Sequence, residues 1–353
     1  MLLLGCRGPT TADSGVQADA DTDADTDTDT DTDVDFTVCA DGSAPFEDVQ
    51  AAVDASEDGD TIRVCAGVYG GVDVGSRQLT LVGESAANTV LFESSGTAFR
   101  AAAGRVELRG FTLRSSNTEP VGAALHLAGT EALIEDVRMT DCSPYILIFQ
   151  DEGDVEYDGV VIENVTAQDD GVGFYLLGPG SAIVRHLHYQ DSSVQEPLYF
   201  SNVDLEFENN VITGLEFGRL ATFDDAGRDM NVVNNVFHGS AVRDGTLGAL
   251  IHKGSSTDFV NNIVTANTAA GNLFSGSFAG HYNLDWGNDL GSDSSFAGEG
   301  NLSVDPWFAD PDAEDFSLTP GTSPCIDAGD PSLADTDGSR SDMGAFGGPG
   351  GAW

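Results

Sequence analysis

Residues 207–213 read FENNVIT, and the phrase returns as VVNNVFH at 232–238 and FVNNIVT at 259–265. Looser versions lie upstream as VELRGFTL (106–113), LIEDVRM (133–139), EYDGVVI (156–162) and IVRHLHY (183–189), and downstream as HYNL (281–284). Aligned on one apolar position, the anchors are Phe111, Val137, Val160, Leu187, Val211, Val236, Ile263 and Leu284, spaced by 26, 23, 27, 24, 25, 27 and 21 residues. A jittered period of this size marks one supersecondary unit copied along an axis.

A second apolar run separates successive anchors, centred near Leu125, Leu147, Phe174, Leu198, Ala221, Leu250 and Phe274. Each unit thus holds two short runs rich in Val, Ile, Leu and Phe, parted by Gly, Asn, Asp and Ser, and no run is long enough for a helix. Two strands and two or three turns per unit, stacked coil on coil, describe an all-β parallel β-helix whose coils bury their apolar sides against each other. Asn210, Asn235, Asn262 and Asn283 precede four successive anchors. This column is expected to sit at left-handed bends and to ladder its amides from coil to coil, a structural role.

On these residues the chain resembles the right-handed parallel β-helix class that includes pectate lyases and many bacterial surface proteins. FEDVQAAVDASEDGDTIRVCAGVY (46–69) is similar to the entry segment of that class, and DPWFADPDAEDFSLTPGTSPCIDAGDP (305–331) with DTDGSRSDMGAFGG (335–348) resembles its closing segment. The resemblance implies a fold and no particular reaction. Regular coils are expected over about 60–285 and a loop-rich C-terminal cap over about 286–353, within one body spanning 36–353. A capping helix is expected from Ser43, with Ser43 as its N-cap and Phe46, Val49, Ala52 and Val53 on its buried face.

The chain has 59 Asp and Glu against 14 Lys and Arg, a net charge of −45. Residues 1–35 contain ten of the acidic residues and Arg7, leaving 49 acidic against 13 basic in the body, a net of −36. Such a field disfavours nucleic acid and anionic membranes as partners, and repels uronic-acid polymers unless calcium bridges the two.

LLLGC at 2–6 resembles the end of a bacterial lipoprotein signal, which implies that residues 1–6 are a signal remnant and that Cys6 is lipidated. A start upstream of Met1 is expected, because only five residues precede Cys6. Residues 19–35 alternate nine Asp with Ala, Thr or Val, so 7–35 reads as a disordered acidic spacer. With export, a disulfide between Cys39 and Cys65 is the favoured pairing, while the pairing of Cys142 and Cys325 stays open.

Successive coils stand about 4.8 Å apart, so a site draws on two to four neighbours. His126 and His252, five coils apart, cannot share one. One cluster passes this test: Asp169, Asp170 and Asp191 with Arg185 as weak catalytic candidates, Glu216 nearby, and Tyr175, Tyr199 and His188 as weak substrate-binding candidates. Carboxylates beside aromatic platforms suit a sugar groove. The plainer account is an acidic turn column with ordinary surface tyrosines. Asp169-Asp170-Gly171 faintly resembles the paired aspartates of polygalacturonases, whose Gly-His-Gly and Arg-x-Lys motifs are absent here. Arg185 and Lys253 are the candidate bases for β-elimination. His186 and His188 flank Leu187 at a spacing open to a transition metal. Asp335, Asp337 and Asp342 surround Gly338 in a possible calcium loop, calcium being the one cofactor expected.

The reading is therefore an exported, monomeric outer-membrane or cell-surface lipoprotein without catalytic activity, its solenoid face binding carbohydrate or another envelope component. A calcium-dependent polysaccharide lyase is the alternative.

Overall fold

The computed structural model describes residues 36–353 except 117–122, 168–170, 244–249, 255–256, 270, 273, 277–279 and 291–295. Cys6, the acidic spacer, Asp169 and Asp170 lie outside the described residues.

The described chain is a parallel β-solenoid of about nine turns. Each regular coil has three strand faces, one more than the sequence reading allowed. The phrase FENNVIT shows why, because it holds two strands rather than one: Asp204–Glu208 on the first face and Val211–Thr213 on the second, hinged between them. The third face follows after a longer turn, as in Glu196–Ser201. Long strands such as Ala123–Thr140 run from the third face of one coil through the first and second faces of the next. Every face pairs in parallel with the same face one coil away, for example Val211 with Val236 and Val236 with Ile263. A narrow fourth ladder joins Glu216–Phe217, Ala241–Val242, Thr268–Ala269 and Asp289–Leu290.

The hinge needs a left-handed residue. Gly110, Asp136, Gly159, His186, Asn209, Asn234, Asn261 and Tyr282 hold it in successive coils, with φ between 50° and 74°. Glycine, aspartate and asparagine adopt this conformation at least cost. The bend residue is thus the first Asn of each Asn-Asn doublet, not the second. The second points inward. Asn210, Asn235, Asn262 and Asn283 are buried, and each Nδ2 of the first three donates to the Oδ1 of the next at 2.9, 2.9 and 3.0 Å. The same Oδ1 accepts the preceding coil's backbone N–H, at 3.0 Å for Asn210 onto Asn235. Asn301 extends the ladder by one step.

The register corrects the anchor alignment. His188, not Leu187, pairs with Val211, so Asn210 continues the inward column of Val160 and Leu187. The later anchors Val211, Val236, Ile263 and Leu284 point outward instead. They are nevertheless buried, under Phe316, Cys325, Met343 and Ala345. The terminal segment does close the last coil, where Phe296 packs on Phe259 and Phe274. Beyond Asp305 it turns back as a strap along the flank. The bend asparagines hold it: Asn209 donates to Ala345 and Gly347 carbonyls at 2.9 and 2.7 Å, Asn234 to Asp342 and Gly344 carbonyls at 2.7 and 3.2 Å, and Asn261 accepts from the Asp330 N–H at 2.6 Å.

At the other end α1 spans Val49–Ala55 and buries Val49, Ala52 and Val53 over the first coil. Its N-cap is Asp48, which accepts the Ala51 N–H at 2.9 Å. Ser43 instead gives its N–H and hydroxyl to Asp41, so the helix starts later than expected. Phe46 forms a bridge with Val38 and stacks on Phe36. Cys39 and Cys65 are joined in a disulfide, and Cys142 and Cys325 are buried free thiols. Cys142 takes a rung in a second inward polar column, accepting the Ser115 N–H much as Ser240 accepts that of Leu215.

The ladder makes the middle coils mutually dependent. Asn235→Ala should lower unfolding stability by about 2–3 kcal/mol, because it orphans buried donors and acceptors on both sides. Asn288→Ala, at the partly exposed end of the second column, should cost less than about 1 kcal/mol. Equal urea midpoints for the two variants would overturn the ladder's role.

Candidate functional site

The third face carries the site. Its inward residues alternate with outward ones, so Leu125 and Leu127, Ile148 and Gln150, Phe174 and Leu176, and Leu198 and Phe200 fill the core while the residue between each pair faces solvent. Register then places Arg100, His126, Phe149, Tyr175, Tyr199, Thr222 and His252 in one outward column. Four consecutive rungs are rings, with centroids 4.9 Å apart for His126 and Phe149, 5.7 Å for Phe149 and Tyr175, and 5.1 Å for Tyr175 and Tyr199. All four are half-buried.

Polar groups collect at the Tyr199 end. Glu196 accepts a short hydrogen bond from the Thr222 hydroxyl, and Arg219 Nη1 stands 3.3 Å from Thr222 Oγ1 and 3.8 Å from Glu196 Oε1. Burial raises the Glu196 carboxyl above its ordinary range, against the lowering pull of Thr222 and Arg219. Burial also raises the Tyr175 hydroxyl, helped by Tyr199, Glu196 and Tyr145. His126 is lowered by burial and then by Arg100, which favours its neutral ring. His252 is oriented by Ser275, 2.9 Å from its Nδ1.

Tyr175 and Tyr199 are therefore adjacent and outward, but the other residues grouped with them in sequence are not. Arg185 is on the first face, in ion pairs with Glu156 at 3.6 Å and Glu208 at 3.5 Å. Asp191 is an exposed left-handed bend residue at φ 46°. Glu216 belongs to the narrow fourth ladder. His188 lines a second-face cleft with Arg138, Glu163, Gln190 and Glu314, where burial lowers its pKa. His186 is not its metal partner. It bonds Asp158 at 2.6 Å and the Gly350 carbonyl at 3.1 Å, and stacks on Trp353, docking the end of the strap. Lys253 ends the strand Ile251–Lys253, one residue past the column.

In the strap, Asp335 accepts the Asp342 and Gly348 N–H groups, Asp337 accepts from Ser339, and Asp342 accepts the Asp327 N–H at 2.6 Å. Asp335 and Asp342 are thus neighbours engaged with backbone donors, while Asp337 is turned to its own loop. Among the described residues no three His, Cys, Asp or Glu side chains are grouped to hold a metal ion.

His126 and Phe149 are the residues that sequence reasoning left out of the group. Aligning the second run on Ile148 rather than Leu147 puts Phe149 level with Tyr175 and Tyr199, and His126 follows.

Residues 123–285 match the family model described as "Right handed beta helix region". The chain is a right-handed parallel β-helix protein. Among curated proteins none matches. Solved structures similar to this β-helix include a pectin methylesterase mutant in complex with a hexasaccharide, at 12% identity and TM-score 0.39, covering 80% of this chain and 98% of that one. Pectin methylesterase PemA from Erwinia chrysanthemi matches at 12% and 0.38, covering 80% and 98%. The enzyme from carrot matches at 15% and 0.36, covering 82% and 92%.

Asp342 gives the strap of this β-helix a pH dependence. Burial, then the charges of Asp335, Asp327 and Asp337, outweigh the Asp327 N–H and raise its carboxyl from 3.8 to about 6. A raised acid holds an extra proton in the folded state, so its cost is full above pH ~6 and is relieved as pH falls toward ~4. Asp342→Asn should therefore raise the thermal midpoint at pH 7, with the gain fading by pH 4. A difference from the parent protein that is constant across this range would contradict the assignment.

Proposed function

We propose that this β-helix is an exported, lipid-anchored, non-catalytic protein that binds carbohydrate along its third face. The observation that carries the reading is the unbroken column of four half-exposed rings. Aromatic side chains gathered on a surface mark a binding face more often than a solvated one. Ring edges and tyrosine hydroxyls together offer apolar and polar contacts to the mixed surface of a sugar chain. Of the residues the lyase alternative draws on, Arg185 and Asp191 stand on other parts of the coil, Lys253 lies one residue past the column, and Asp169 and Asp170 lie outside the described residues. The acidic body favours glycan over nucleic acid as the partner. Anchorage through Cys6 fits the same picture, since a spacer of residues 7–35 would reach about 100 Å at full extension and hold the solenoid clear of a lipid surface.

The test is glycan-array binding by the full chain, once with calcium and once with a chelator. Binding to at least one glycan is expected, together with a loss of tenfold or more in the double variant Tyr175→Ser and Tyr199→Ser. The unfolding midpoint should fall only modestly, because both side chains point outward and what the fold loses is their ring contacts in the column. Absence of glycan binding in both conditions would sink the proposal, and calcium-dependent turnover of a uronate polymer would revive the lyase.

A further inference from the structure

We infer that Tyr199 is the anchoring subsite of the aromatic column, where one uncharged sugar ring stacks and its vicinal hydroxyls are held by Glu196 and Arg219. This deepens the carbohydrate reading and rests on it. The rings of the column are not equivalent. His126, Phe149 and Tyr175 follow one another at interplanar angles of 32° and 22°, so each covers its neighbour's face and offers solvent mainly an edge. Tyr199 breaks the series. It is tilted 58° from Tyr175, and the next coil puts Thr222 rather than a ring at its level. Among the described residues no aromatic ring covers the Thr222 side of Tyr199, and sugar stacking requires a face.

The polar equipment lies at that same end. The Arg219 side chain is 41% exposed, and its contacts at 3.3 Å to Thr222 and 3.8 Å to Glu196 are long, so its N–H fork keeps donor capacity. Glu196, its side chain 20% exposed and Oε1 engaged by Thr222, keeps Oε2 as an acceptor beside it. A donor fork next to a carboxyl acceptor matches two neighbouring hydroxyls, each of which both gives and accepts a hydrogen bond. The raised Glu196 carboxyl keeps a proton to higher pH than usual and so tolerates this half-buried place without a ligand charge. Charge chooses between classes of sugar: the net of −45 acts against an anionic chain along its whole length, whereas one guanidinium already facing Glu196 offsets a single unit. An uncharged pyranoside chain is the ligand class that fits.

The experiment is calorimetric titration of the full chain with neutral gluco-, manno-, xylo- and galacto-oligosaccharides and one oligogalacturonate. Tyr199→Ala should weaken the best neutral ligand roughly 30-fold, while Tyr199→Phe keeps the ring and stays within about threefold. Arg219→Lys should fall between the two, because an ammonium cannot reproduce the fork. Phe149→Leu should leave affinity within about threefold, although it loosens the ladder. A Phe149→Leu loss equal to that of Tyr199→Ala would show affinity spread along the column; it would overturn the anchor and leave the carbohydrate reading standing. Tighter binding of the oligogalacturonate would overturn the uncharged class. Failure of every oligosaccharide to bind would remove the carbohydrate reading and this inference together.

Discussion

Each coil of this protein leaves polar and apolar groups that only its neighbours can satisfy. The inward column shows the constraint most clearly. Through Leu187 it is apolar, and from Asn210 onward it is amide, with each Oδ1 accepting from the coil before and the Nδ2 of Asn210, Asn235 and Asn262 donating to the coil after. A buried amide without such partners would cost more than the leucine it replaces. The ladder therefore fixes register: a one-residue slip would turn every Asn of the column to the outside.

The Asn-Asn doublet divides two duties between adjacent residues. The second Asn stitches coils together within the core. The first makes the left-handed bend and, because that bend turns its side chain outward, reaches the carbonyls of the C-terminal strap. Once the strap is held, the outward positions beside it can be apolar, which is why Val211, Val236, Ile263 and Leu284 are buried on the outside of the solenoid. Earlier coils carry Arg138, Val161 and His188 at the same outward positions, and there they line a cleft with Glu314 of the strap instead of being sealed beneath it.

Much of the architecture was legible in the sequence, because the period near 25 residues and the Asn column are properties of the repeat itself. The third strand per coil was not. Its hinge is a single residue, Gly, Asp or Asn in six coils and His186 or Tyr282 in two, too short to read as a break between FEN and VIT. The strap was hidden for a related reason: an apolar residue reads as inward unless the segment covering it is known, and that segment makes its hydrogen bonds to the bend asparagines from 69 to 138 residues away in sequence. The candidate site suffered from the same one-residue ambiguity. The sequence places Tyr175 and Tyr199 one coil apart, but it also places Arg185 and Asp191 near them, because sequence proximity within a coil does not reveal which face a residue occupies. His126 and Phe149 emerged only when the strands were in register.

The central functional claim is that ligand meets the third face. Amide hydrogen exchange of the full chain with and without a bound oligosaccharide tests it most directly. The account predicts added protection in 196–201 and 221–224, next to Tyr199, and none along 188–190 in the second-face cleft. Protection centred on His188, with Glu196–Ser201 unchanged, would contradict it.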